Sequence, residues 1–161
     1  MVAKKVLLVG NFGVGKTSLI RRFVLNEFSE DYISTIGVRV SSKLVQYKNE
    51  EIKLLIWDVA GTHNDEKIPK SYFLGASAAM YVFDVSRAET YNNITSYIKN
   101  IKELSGLDKV TVVGNKKDLL TQEAIISLQE TIAEPIDLIT SAKENDNVED
   151  AFLKLAAQAI K

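Results

Sequence analysis

Eight consecutive residues, Gly10-Asn11-Phe12-Gly13-Val14-Gly15-Lys16-Thr17, fit the pattern G-x-x-x-x-G-K-[ST]. Phosphate chemistry needs these residue types at this spacing. Glycines let the backbone wrap closely, so several N–H groups can point inward at an anion. The stretch Gly13, Val14, Gly15, Lys16, Thr17 and Ser18 is therefore a candidate phosphate cradle. Lys16 supplies a positive charge to the outer phosphates, and the Thr17 hydroxyl can ligate magnesium. A helix that starts here presents its positive end to the same anion.

A second group lies far along the chain. Asn115-Lys116-Lys117-Asp118 comes just after the apolar run Val110 to Val113. That is the carboxyl end of a predicted strand, where open α/β sheets bind ligands. Asp118 can accept hydrogen bonds from N1–H and the 2-amino group of guanine. Adenine lacks the 2-amino group and offers an acceptor at N1. A site that hydrogen-bonds a substrate group rejects an analogue lacking it by about 10⁴–10⁵. Ser141-Ala142-Lys143, after the run Ile136 to Ile139, is a third short polar segment at a strand end. The order and placement of the three point to a guanine nucleotide.

The elements that must carry these residues are legible in the apolar periodicity. Val6 to Val9 is a short continuous apolar run, suited to a strand buried on both faces. Leu19, Ile20, Phe23 and Val24 have helical spacing. Glu27 to Gly37 reads as a loop. Val38 to Tyr47 alternates, with Val38, Val40 and Leu44 on one face and Arg39, Ser41 and Lys43 on a wet one, as an edge strand would. A turn at Lys48-Asn49-Glu50 leads into Ile52 to Trp57, which predicts an antiparallel hairpin. Met80 to Phe83, Val110 to Val113 and Ile136 to Ile139 are further strands. Helices are predicted around Ile94, Ile98 and Ile101, over Ala124 to Ile132, and through Val148, Phe152 and Leu155. Asp146 and Glu149 read as a capping box for the last. Strands alternating with helices predict a mostly parallel sheet covered on both faces.

Composition narrows the function further. The chain has 161 residues, 20 basic and 21 acidic, for a net charge of -1. That length suits one domain over residues 1–161. The balance gives no broad attraction to nucleic acid or an acidic membrane. With no cysteine and one histidine, thiolate sites and multi-imidazole zinc sites are excluded. Lipid anchors on cysteine are excluded in this chain too. No transmembrane segment or signal is read, and a cytoplasmic location is expected.

Taken together, the phosphate loop, Ser34-Thr35-Ile36-Gly37-Val38, Trp57-Asp58-Val59-Ala60-Gly61, the Asn-Lys-x-Asp segment and Ser-Ala-Lys resemble the Ras superfamily of small GTPases, closest to its Rab branch. They occur in family order over nearly the whole chain. The resemblance implies the P-loop NTPase G domain: a six-stranded, mostly parallel sheet with one antiparallel edge strand and five helices on both faces. It implies GDP and GTP as ligands with Mg2+ as cofactor. Phe28 would pack against guanine, Asn115 would join the base loop to the phosphate loop, the Lys116 stem would cover the base, and the Ala142 N–H would meet the guanine carbonyl. Ser141 and Lys143 complete the base-binding set.

The switch is implied in the same way. Thr17, Thr35 and Asp58 would hold magnesium, Asp58 through water. Lys16, Thr35, Gly61 and Thr62 would form the catalytic set. Residues 28–40 and 60–76 are expected to order with GTP and to carry the contacts with an exchange factor, a GTPase activator and an effector. Two residues depart from the family pattern. Thr62 stands where most members have the glutamine that orients the attacking water; Rap-type members also carry threonine there and rely on a partner. Phe12 stands where a small residue is usual, either crowding the γ-phosphate or turned outward. Both point to slow hydrolysis. The alternative is a GTP-binding interaction module with impaired or no hydrolysis.

Overall fold

The computed structural model describes residues 1–29, 37–61 and 68–161. Ten regular elements run in the order β1 (Val2–Val9), α1 (Lys16–Leu25), β2 (Val38–Tyr47), β3 (Glu50–Val59), β4 (Ala78–Asp84), α2 (Ile94–Ser105), β5 (Thr111–Asn115), α3 (Gln122–Thr131), β6 (Leu138–Ile139) and α4 (Val148–Ala159). The strands form one six-stranded sheet in the order β2-β3-β1-β4-β5-β6. Only β2 and β3 pair antiparallel; every other pair is parallel.

Four α-helices, not the five implied, lie among the described residues. Part of the chain between β3 and β4 falls outside them. Within that connection, Lys70–Phe73 is a short 3-10 turn.

The core explains the continuous apolar runs. All seven residues of β4 are buried, because helices cover both faces of the sheet. Val6, Leu8, Met80 and Val82 face α1 and α4; Leu7, Val9, Tyr81 and Phe83 face α2 and α3. Phe23 of α1 stacks on Phe152 of α4, with ring centroids 4.2 Å apart.

Two local expectations are corrected. The inward face of β2 is Ser41, Lys43, Val45 and Tyr47, while Val40 and Leu44 are each 52% exposed. The Lys43 amine lies over the Phe23 ring, 4.1 Å from its centroid, and donates to the Phe23 carbonyl. A long aliphatic stem can cover a core edge while its charge finds a partner. The capping box of α4 does not form either. Asn147 is its N-cap residue, with φ 59° and no side-chain cap bond. The Asp146 carboxylate instead accepts from the Lys117 amine at 2.6 Å, and its backbone pairs with Ser141 in both directions at 2.9 and 3.0 Å.

Candidate nucleotide-binding site

Strand order reverses about β1, whose neighbours are β3 and β4. At such a switch point the connections leave in opposite directions and open a crevice at the carboxyl ends of the strands. Here the crevice is a cavity of about 300 Å³. Gly13, Gly15, Lys16, Thr17 and Ser18 form one end of its wall. Asn115, Lys116, Asp118, Ala142 and Lys143 form the other, and Phe28, Asp58 and Gly61 also line it. Val14 and Ser141 stand behind. The Val14 side chain is fully buried in the core. Thr35 and Thr62 lie outside the described residues.

The phosphate end is held together by the backbone. Lys16, the first residue of α1, is buried and donates to the carbonyls of Gly10 at 2.9 Å and Asn11 at 3.1 Å. Burial lowers its pKa to about 8, with the nearby Asp58 charge opposing the shift. The Thr17 hydroxyl donates to Asp58 Oδ2 at 2.6 Å. A hydroxyl that donates its proton keeps two lone pairs for a cation. Hard oxygen donors of this type, few in number and completed by phosphate oxygens and water, suit magnesium. The residues present therefore fit the ion. Gly61 packs so closely that a Cβ would run into the Phe12 backbone. Phe12 lines the cavity, and Arg87 Nη1 donates to its carbonyl at 3.1 Å.

The base end is built from side chains. Asp118 lies on the 3-10 turn Lys117–Leu119, and its Oδ1 accepts from Ser141 Oγ at 2.7 Å. Ser141 Oγ in turn accepts from the Glu144 N–H at 3.0 Å. The carboxylate is thus oriented by a hydroxyl that is itself oriented. Asn115, 1% exposed, donates from Nδ2 to the Val14 carbonyl at 3.1 Å and joins the two ends. Its Oδ1 accepts from Thr140 Oγ1 at 3.0 Å and from the Ala142 N–H at 3.3 Å. The latter bond is long. Gly15, at φ 100°, lets the phosphate loop come this close; a Cβ there would collide with the Asn115 amide. Lys116 adopts φ 68° and places its amine 3.2 Å from the fully buried Asp84 carboxylate. Removing Lys116 would be costly, because the fully buried Asp84 carboxylate would be left without a cationic partner or water.

Several supporting residues had no signal in the sequence. Ser29 and Leu119 line the cavity, while Thr140 and Asp84 act behind it; none belongs to a spacing pattern. Leu119, an apolar side chain 57% exposed directly after Asp118, is the one that its position could have flagged.

The model of the Ras family matches residues 5–161. This chain belongs to that family. It is 36% identical over 157 residues to the Ras-related protein Rab-4B of Homo sapiens, covering 94% of this chain and 74% of the relative. The Rab-4B of Rattus norvegicus matches with the same figures. The Ras-related protein Rab-4A of Bos taurus is 35% identical over 161 residues, covering 97% and 74%. The chain is thus a Rab-like, GTP-binding small GTPase switch of the Ras superfamily. Such GTPases bind GTP or GDP with Mg2+ and work with exchange factors, activators and effectors. No helix among the described residues is long and apolar enough to cross a membrane.

Proposed function

We propose that residues 1–161 form a single G domain whose cleft grips guanine at the Asp118 end and the phosphates at the Lys16 end, and which hydrolyses GTP slowly. One observation carries this reading. Lys16 and Thr17 line one cavity with Asn115, Lys116 and Asp118, about a hundred positions further along the chain, and Asn115 bonds directly to the phosphate loop.

In this reading Asp118 accepts from N1–H and the 2-amino group, and the Ala142 N–H serves the 6-oxo group. Phe28 and the Lys116 stem flank the ring, with Ser141 and Lys143 completing the base loop. Gly13, Val14, Gly15, Lys16, Thr17 and Ser18 hold the phosphates. Thr17 and Thr35 would hold Mg2+ and Asp58 would hold it through water, and the ion would neutralise charge on the phosphate oxygens. Hydrolysis then depends on positioning and preorganised charge from Lys16, Gly61 and the loop amides. Regulators and effectors engage residues 28–40 and 60–76.

Slow turnover follows from Thr62, whose side chain is too short, and lacks the amide, to hold the attacking water as glutamine does. Single-turnover hydrolysis by the purified protein should run no faster than roughly 10⁻⁴ s⁻¹, the scale of unassisted Ras-type enzymes. A rate near 1 s⁻¹ without a partner overturns the reading. Thr62→Gln should raise the rate. The second reading, a GTP-binding interaction module with impaired or no hydrolysis, draws on Thr62 and on Phe12, which lines the cavity and whose bulk would crowd an arginine supplied in trans. Turnover in the presence and absence of cell extract separates the two.

A further inference from the structure

Arg22 belongs to no nucleotide-binding motif, yet its guanidinium faces the base loop. It sits in the last turn of α1. Its Nε donates to the Ala142 carbonyl at 2.8 Å and its Nη2 to the Lys143 carbonyl at 2.9 Å, across 120 and 121 positions of sequence. Its Nη1 lies 3.4 Å from the Asn26 carbonyl and 3.3 Å from Asn26 Oδ1. Asn26, at φ 54°, is the left-handed cap that ends α1, two residues before Phe28. One planar fork therefore spans the two chain segments that flank the base end of the cavity.

The chemistry suits fixation rather than charge pairing. Arginine has five donors in a rigid plane and no acceptor. Two neighbouring carbonyls take two of these donors, and charge-assisted bonds are about twice as strong as neutral ones. Holding both carbonyls sets the planes of the peptides on either side of Lys143. Ala142 is 3% exposed, and among the described residues its own N–H is held by the long bond to Asn115. This N–H belongs to the Ser141–Ala142 peptide, one Cα before the first plane that Arg22 holds, so its placement is coupled to the loop's attachment to α1 through the Ala142 Cα.

We infer that Arg22 is a positioning residue for guanine: it fixes the Ala142–Lys143 loop against α1 so that the Ala142 N–H addresses the 6-oxo edge of the base. This rests on the base-end assignment proposed above. Lysine cannot replace it fully, since a single ammonium lacks the fork that meets two carbonyls at once.

The test compares GDP, IDP and ADP by competition against a fluorescent GDP analogue, on the full chain, for wild type, Arg22→Ala and Arg22→Lys. GDP and IDP share the 6-oxo group, ADP lacks it, and only GDP carries the 2-amino group that Asp118 would read. Arg22→Ala should lower the GDP-to-ADP preference about tenfold and leave the GDP-to-IDP preference unchanged. Arg22→Lys should fall between. Circular dichroism checks that each variant is folded, and if the alanine variant does not fold, the lysine variant carries the comparison. Equal loss for all three nucleotides, no loss at all, or a changed GDP-to-IDP ratio overturns the inference. A wild type that shows no preference for GDP over ADP sinks the base-end assignment, and this inference with it.

Discussion

The two ends of the cavity are stabilised differently. At the proposed base end, the cavity-lining groups are held by other side chains: Ser141 on Asp118, Thr140 on Asn115 and Asp84 on Lys116. At the phosphate end, Lys16 is held by loop carbonyls, and Thr17 and Asp58 hold one another. In the proposed reading the first arrangement sets donor and acceptor directions, and the buried Ser141, Thr140 and Asp84 would keep them from relaxing toward the wrong base. The second concentrates charge and lone pairs with little regard to the base. Selectivity should therefore reside at one end, and general affinity with metal dependence at the other.

The sharpest way to break this contrast is at Asp118. Asp118→Asn exchanges an acceptor for a donor at the base edge. GDP affinity should fall on the order of 10⁴, with preference moving toward xanthine nucleotides, whose N1–C2 edge presents an oxygen. Unchanged selectivity in a nucleotide competition assay removes Asp118 from the base edge and ends the contrast.

The opposite end gives a smaller and less selective effect. Thr17→Ala removes the hydroxyl bonded to Asp58. Titrating magnesium against nucleotide release should show the dependence on the ion largely lost, with guanine preference intact. Should that preference change along with metal dependence, the two ends are not separable.

The smallest effect comes from Lys16. Its folded pKa is lowered to about 8 by burial. The free protein thus carries the charged amine below pH 8 and loses it above, while bound phosphates favour the charged form. Nucleotide affinity should be flat below pH 8 and fall by up to about tenfold per unit above it, as linkage requires for one proton. For folding the sign is opposite. The unfolded chain holds the proton more tightly than the folded one, so the amine's burial cost is present below pH 8 and is relieved as pH rises toward 10.5. Calorimetric affinity across pH 7 to 9.5 checks the first. An affinity that stays level through pH 9 takes Lys16 out of the phosphate end.

Much of this was readable from residue order. Glycines, Lys16 and Thr17 are recognisable because close backbone approach and phosphate charge allow few substitutes. The parallel strands were legible because burial on both faces leaves an unbroken apolar run, as in β4. The face of β2 was not: an edge strand has weak burial, and the Lys43 stem took an inward place that its charge argued against. Nor was Asp146, whose type and spacing suggested a helix cap while its carboxylate serves Lys117. Arg22 was silent for a different reason. Its partners are backbone carbonyls, which carry no residue identity, and they lie 120 and 121 positions away.

The central claim is that one cavity binds a guanine nucleotide by both ends. Titration calorimetry of nucleotide-stripped protein in magnesium, with GDP, GTP, ADP and ATP in turn, tests it most directly. The account predicts tight uptake of GDP and GTP and binding weaker by orders of magnitude for the adenine pair. Comparable affinity for all four, or none for any, would contradict it.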